Sequence, residues 1–141
     1  MIVLRHPKVE AEEADVIHQA STRHLDGTDI TLLAGVQDGS YIAFENIDLK
    51  GIREIRFKAS SRVAGSVIEV RAGSPDGALL AEASVPVTEN FRDPMKEARA
   101  QLASQGDQQD LYFVFRNREG RKENILFIDW IFFGDGRVSL P

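Results

Sequence analysis

Hydrophobic and polar residues alternate with a period of two along most of the chain, which is the pattern of half-buried β-strands. The clearest example is the segment 52–59, which alternates from Ile55 onward and places Ile55, Phe57 and Ala59 on one face. In the segment 40–49 the large apolar residues switch from even-numbered to odd-numbered positions between Phe44 and Ile47. This change predicts a β-bulge or a strand end near Asn46.

Two later segments, 111–115 and 125–133, are almost continuously apolar and rich in aromatic and β-branched residues. Such composition favours central strands that are covered on both faces. Turn residues separate the apolar segments at short intervals, most clearly in Ser74–Gly77, where Pro75 presets φ and Gly77 is expected to supply a positive φ. About eight or nine short strands separated by such turns predict an all-β fold, a β-sandwich.

The segment 94–103 departs from this pattern. Pro94 stands at a plausible first helical position and is followed by strong helix formers, which indicates a helix. Ala98, Ala100 and Leu102 also alternate, which indicates a strand. The local pattern leaves both interpretations open.

The chain has 141 residues, which is the size of one domain, and we expect a single domain over residues 1–141 with its core at about 8–133. Its 17 basic and 22 acidic residues give a net charge of −5, which argues against a general nucleic-acid binder. The absence of cysteine excludes disulfides, thiolate metal sites and cysteine nucleophiles. No apolar segment has the length of a membrane span, and we expect no membrane partner.

Three carboxylates are candidates for metal binding. Glu10 and Glu12 would project from the same face of a strand, about 7 Å apart, where a hard cation such as Ca²⁺ would relieve their repulsion. An acidic solvated edge is the alternative. Asp129 interrupts an apolar strand, so its charge requires a metal, a basic partner or an outward orientation at the strand end.

No arrangement of residues indicates catalysis. The three histidines, His6, His18 and His24, match no metal or catalytic spacing, and no Gly-x-Ser-x-Gly, phosphate-binding or dinucleotide motif is present. We therefore expect no enzymatic activity. The basic and amide-rich segment 116–124 fits either a binding loop for a phosphate or an anionic sugar, or a solvated hairpin tip.

Several segments together resemble the family 6 carbohydrate-binding modules. The opening resembles Ile-Glu-Ala-Glu, the segment around Tyr41 resembles Asp-Gly-Asp-Tyr-Ile-x-Phe-x-Asn-Val-Asp-Phe, and the end resembles Leu-Asp-Trp-Phe-x-Phe. The matching segments, in order, are Val9–Glu12, Asp38–Leu49, Ile68–Arg71, Ser74–Leu80, Val85–Thr88, Leu111–Phe115 and Ile128–Phe133. These segments occur in the family's order and at its spacing, and together they extend over about nine-tenths of the chain.

The resemblance implies a jelly-roll β-sandwich of two antiparallel sheets with a structural calcium ion. The family's calcium ligands correspond to Glu10, Glu12 and Asp129, with backbone carbonyls completing the shell. The same resemblance favours a strand over a helix for residues 95–103.

The resemblance also implies a sugar cleft at the loops along one edge of the sandwich. An aromatic is kept there at Phe91, but the expected tyrosine falls at Gly35 and the expected asparagine at Phe127. The amide could instead come from Asn124 or from two other asparagines, Asn90 and Asn117.

Some members bind sugars on the concave face of a sheet, where Tyr41 would be the aromatic and Glu69 or Arg71 would face the same groove. The alternatives are that Tyr41 only covers the sheet and that Phe91 only anchors a loop.

The function implied is that of a non-catalytic module that binds a poly- or oligosaccharide and thereby targets a covalently linked enzyme, such as a glycoside hydrolase or a sugar-dehydrogenase-like domain. We expect a monomer cut from a longer bacterial protein that is secreted or periplasmic. The alternative is a calcium-stabilised structural jelly roll whose sugar site is degenerate.

Overall fold

The computed structural model describes residues 8–10, 14–24, 31–48, 52–61, 63–87, 96–102, 108–123 and 125–134. These residues form strands and connecting loops, and no membrane-spanning helix is found among them. The strands are β1 (Lys8–Glu10), β2 (Val16–His18), β3 (Ser21–His24), β4 (Thr31–Ala34), β5 (Tyr41–Asp48), β6 (Glu54–Ser60), β7 (Ser66–Ala72), β8 (Ala78–Ser84), β9 (Lys96–Gln101), β10 (Gln108–Asn117) and β11 (Phe127–Gly134).

The strands form two antiparallel sheets, which confirms the predicted jelly-roll β-sandwich. Sheet I has the order β3-β4-β11-β6-β9, with β1 also paired to β11. Sheet II has the order β2-β5-β10-β7-β8. The two continuously apolar segments become β10 and β11, which lie inside their sheets as predicted. The described strands number eleven rather than eight or nine, since short edge strands escape a count of apolar segments.

The core lies between the sheets and is centred on Phe113 of β10. Its ring lies 5.6 Å from that of Phe57 and 6.4 Å from that of Phe133, both on sheet I. It also meets Phe44 of sheet II edge-on, with the ring centroids 6.0 Å apart. Edge-on and tilted contacts of this kind add to the stability gained by burying the rings. Phe113 therefore joins the two sheets.

The predicted parity change in β5 is confirmed as a bulge. Phe44 is paired with Leu111 and Ile47 with Gln109, so two residues of β5 lie opposite one residue of β10. The extra residue allows Phe44 and Ile47 both to be buried although they are three positions apart.

The helix predicted from local propensity at 94–103 is wrong, and the alternative strand is confirmed. β9 pairs with β6 along its whole length. This pairing buries Ala98 and Ala100 and leaves Arg99 exposed. Burial of alternate alanines against the core outweighs a helix propensity of a few tenths of a kcal/mol per residue.

The turn after β7 forms as predicted, but the reason it needs Gly77 differs from the prediction. The N–H of Gly77 donates to Ser74 O at 3.0 Å, which closes the turn. The positive φ belongs to Gly73, at +82°, and not to Gly77. A Cβ at Gly77 would lie 1.9 Å from Ala72 O. Glycine is required there because two backbone segments approach closely.

Candidate functional site

The structure describes the predicted site residues unequally. Glu12, Phe91 and Asn124 lie outside the described residues, and so does Asn90. Glu10 is described only in its backbone. The positions and surroundings of the others are described: Tyr41, Glu69, Arg71, Asn117 and Asp129.

The backbone brings Glu10 and Asp129 to the same place in sheet I. Glu10 of β1 is paired with Trp130 of β11, so it lies within one residue of Asp129 along the sheet. The pairing of β11 with β6 shifts between Ile128 and Trp130, which places half-buried Asp129 at an irregularity of the strand. No group of three metal-ligating side chains is found within the described ranges, from which Glu12 is missing.

The edge cleft that the family resemblance predicts would lie at the loops next to β4 and β11 of sheet I, where two of its expected groups are absent. Gly35 follows β4 with a φ of +65°, and a Cβ there would lie 3.3 Å from Ser21 Oγ. A side chain at this position would strain the backbone. Half-buried Phe127 begins the adjacent β11. The tyrosine and asparagine expected by family resemblance are therefore replaced by a glycine that the backbone requires and by an aromatic ring.

The side chain of Asn117, one candidate for the missing amide, forms hydrogen bonds within the fold. The residue is 7% exposed. Its Nδ2 donates to Ala64 O at 3.0 Å and to Ser66 Oγ at 3.1 Å. Its Oδ1 accepts from the N–H groups of Glu119 and Arg121, each at 3.0 Å. Because both donors and the acceptor are in use, this amide is not available to a sugar hydroxyl.

The outer face of sheet II, the side away from the core, carries a row of aromatic rings. Tyr41 stacks on His18, with centroids 4.7 Å apart and planes 20° apart. Tyr112 lies on the other side of Tyr41, with centroids 5.6 Å apart and planes tilted by 54°. Neighbouring strands supply the three rings, in the order β2, β5 and β10. Tyr41 is thus flanked on both sides, and Tyr112 is the ring closer to the middle of the sheet.

Small and aliphatic residues line the surface beside these rings. Ala43, Val67 and Val114 alternate with core residues along their strands and so face outward, yet they are 0%, 5% and 1% exposed. Side chains with so little exposed area are covered by neighbouring residues. The exposed part of this face therefore consists of its longer side chains, among them the aromatic rings and the arginines.

Arginines surround Glu69 on the same face. Its carboxylate lies 3.1 Å from Arg71 Nε, 3.5 Å from Arg116 Nε and 3.9 Å from Arg118 Nη2. Arg118 also forms an ion pair with Glu82 of β8. The Glu69 side chain is 10% exposed, and such a buried charge is tolerated because oppositely charged groups surround it.

Sequence reasoning identified Tyr41, Glu69 and Arg71 on this face but missed Tyr112. One signal was available, because Tyr112 has the opposite parity to Leu111, Phe113 and Phe115 in the same apolar segment. No local signal links Arg116 and Arg118 to Glu69, since the register between β7 and β10 creates the contact.

Comparison with solved structures supports the same fold. The chain is 21% identical to a family 6 carbohydrate-binding module from Clostridium cellulolyticum solved with xylose, with a TM-score of 0.81 over 90% of this chain and 95% of that one. It is 23% identical to a β-1,3-glucan-binding family 6 module from Bacillus halodurans, with a TM-score of 0.79 over 89% and 93% of the two chains.

A third structure shows this fold within an enzyme. The chain matches a family 43 arabinoxylan arabinofuranohydrolase from Bacillus subtilis, solved with cellotetraose, at 25% identity and a TM-score of 0.77. The match covers 89% of this chain and 26% of the enzyme. Among family models, the carbohydrate binding module of family 6 matches residues 10–135. With its predicted motifs in order and a two-sheet fold that matches these modules, the chain belongs to the non-catalytic family 6 carbohydrate-binding modules.

Proposed function

We propose that this module binds its carbohydrate on the outer face of sheet II. The observation that carries the proposal is the partly exposed ring of Tyr112, which lies in the middle of this face with its centroid 5.6 Å from that of Tyr41. The C–H face of a pyranose is apolar and slightly positive, which matches the negative face of an aromatic ring. Glu69 supports this surface by holding arginines next to the rings.

The module's role would be to tether a linked enzyme to its polysaccharide. Weak sugar contacts raise the local concentration of a covalently attached catalytic domain at its substrate. The Bacillus subtilis enzyme, in which a similar domain forms about a quarter of the chain, supports this arrangement. Linkage to a glycoside hydrolase or a sugar-dehydrogenase-like domain, in a secreted or periplasmic bacterial protein, is part of the same proposal.

The edge cleft supports a second candidate function, that of a structural jelly roll with a degenerate sugar site. The positive φ at Gly35 and the ring of Phe127 favour it, because neither residue supplies the groups that the edge cleft needs. Phe91 and Asn124 stay predicted ligands of that cleft.

A structural calcium ion is proposed at the junction of β1 and β11. Carboxylate oxygens are suitable ligands for this hard cation, and the register places Glu10 beside Asp129. Glu12 would be the third carboxylate. A bound ion would neutralise these acidic residues and hold β1 against sheet I.

Isothermal titration calorimetry against cellotetraose, a xylooligosaccharide and a β-1,3-glucan oligosaccharide tests the sugar site. Tyr112→Ala should weaken binding of the preferred sugar tenfold or more, because the truncated side chain loses its contact with the ring. Phe127→Ala removes a half-buried aromatic at the edge cleft and serves as the matched control. Loss of binding only in the control would move the site to the edge. Absence of binding by the unchanged protein to these three neutral probes and to an acidic one, oligogalacturonate, would favour the structural role.

A further inference from the structure

The charges on the outer face of sheet II are unevenly distributed. Arg116 follows Tyr112 and Val114 on the same side of β10, and Arg118 comes from the turn just beyond it. Exposed Glu45 lies toward the opposite end of this face. Along the strand direction, one end of this face is therefore basic, in a chain whose net charge is −5.

The three arginines around Glu69 differ in how they are held. Arg71 is fixed from two sides, because its Nε contacts Glu69 and its Nη1 donates to Gly77 O at 2.9 Å. Its side chain is 22% exposed, compared with 39% for Arg116 and 55% for Arg118. Arg71 therefore belongs to the scaffold, while the other two reach solvent.

Arg116 lies next to Gly39, which has no side chain. Its Nη1 is 3.5 Å from where a Cβ of Gly39 would be, and Gly39 has a φ of +96°. The contact with Glu69 engages Nε, at the other side of the guanidinium. A planar guanidinium carries five N–H donors, so the donors near Gly39 remain for a ligand.

The local charge balance favours an anion. Arg71, Arg116 and Arg118 carry three positive charges, and Glu69 and Glu82 carry two negative ones. One further carboxylate or sulfate would neutralise the cluster. The contact of Arg118 with Glu82 is partly exposed, so an arriving anion can share that guanidinium at little cost.

We propose that this face selects acidic saccharides, with Arg116 and Arg118 contacting a carboxylate or sulfate while Tyr112 and Tyr41 contact sugar rings. The inference rests on the proposed function and adds the substrate class. Arginine suits this role because its planar fork binds two oxygens of one anion. Tyr112 and Arg116 are four residues apart on one strand, about 13 Å, so the ligand would be an oligosaccharide of more than one ring.

Calorimetry with two matched pairs of probes tests the inference. The first pair is an oligogalacturonate and its methyl ester, which differ in charge but keep the same rings. The second is a sulfated carrageenan oligosaccharide and its desulfated form. The acidic member of at least one pair should bind tenfold or more tightly than its neutral partner, and raising the salt concentration should reduce the preference. Which pair shows it distinguishes a carboxylate from a sulfate.

Arginine variants locate the anion. Arg118→Gln and Arg116→Gln should each lower affinity for the acidic probe about tenfold and change affinity for its neutral partner by less than twofold. Arg121→Gln is the matched control, because Arg121 is exposed on the turn and contacts Glu123 O instead of the cluster.

Equal affinity for both members of each pair, or an equal loss of both in Arg118→Gln, would overturn the inference. If neutral sugars bind at Tyr112 without any acidic preference, the proposed function stands and only the inference fails. If no sugar of either kind binds, both fail.

Discussion

The edge cleft at the loops next to β4 and β11 and the outer face of sheet II are the two candidate sugar sites of this module. They differ in how many contacts their residues make within the fold. At the edge, the backbone carbonyl of Ile125 accepts from the hydroxyls of Ser61 and Ser66, at 2.5 and 2.6 Å. On the outer face, Tyr112 and Arg118 reach solvent and contribute little to the core.

This difference predicts that ligand groups on the outer face can be changed while the fold is kept. Residues that satisfy buried carbonyls or need a positive φ, such as Ser66 and Gly35, are costly to replace. Exposed residues of the outer face can change with much smaller effects on folding. Mutations at the edge cleft should therefore change mainly the stability of the fold, and mutations on the outer face should change mainly the affinity for sugar.

Calcium removal should give the largest effect, at the junction of β1 and β11. A ligand that binds only the folded state at about a thousand times its Kd adds about 4 kcal/mol to the free energy of unfolding. Chelation should therefore lower Tm by several degrees or more, as measured by calorimetry. Asp129→Asn should abolish this response, while exposed Glu123→Gln should keep it. A Tm insensitive to chelator would contradict the calcium proposal.

Asn117→Ala should be next, because it leaves buried polar groups without partners. We expect a loss of about 2 kcal/mol in chemical denaturation. Asn117→Asp keeps acceptor oxygens for the N–H groups of Glu119 and Arg121 but loses the donors to Ala64 O and Ser66 Oγ, so it separates the two halves of the network. Neutral-sugar affinity at Tyr112 should stay within twofold in both variants. A selective loss of affinity with unchanged stability would instead assign this amide to the ligand.

Gly35→Tyr should give the smallest effect and the sharpest test of the edge. The variant restores the family's aromatic in sequence, but the φ of +65° strains it, at a cost of about 1–2 kcal/mol. We expect lower stability and no gain in sugar affinity. Gly35→Ala carries the same backbone strain without the ring. Higher affinity in the tyrosine variant alone would show that the edge cleft needs only this ring to function.

The fold was largely predictable because its signals are local. Alternation in 52–59 predicted the buried face of β6, and the parity change after Phe44 predicted the bulge. The strand at 96–101 required the family resemblance, since its propensity is helical and only pairing with β6 makes it a strand. Gly77 shows the same limit, because the close approach of Ala72 O is a property of the folded turn.

The site was less predictable because its contacts join distant segments. Glu69 and Arg118 are 49 residues apart and meet only through the register of β7 and β10. The motif identified Tyr41, but the position of its ring between two others depends on the order of three strands. Tyr112 was concealed in an apolar segment in which parity alone distinguished it from the core.

The flanking of Tyr41 has a consequence for the thermodynamics of recognition. When a ligand immobilises a flexible side chain, the lost rotational freedom costs about 0.5–1.5 kcal/mol. This cost is a large share of the free energy with which a weakly bound sugar associates. Contact with His18 on one side and Tyr112 on the other restricts the rotamers of Tyr41 before any ligand arrives. Much of this entropy is therefore lost during folding, and the preorganised rings retain more of each contact's energy as affinity.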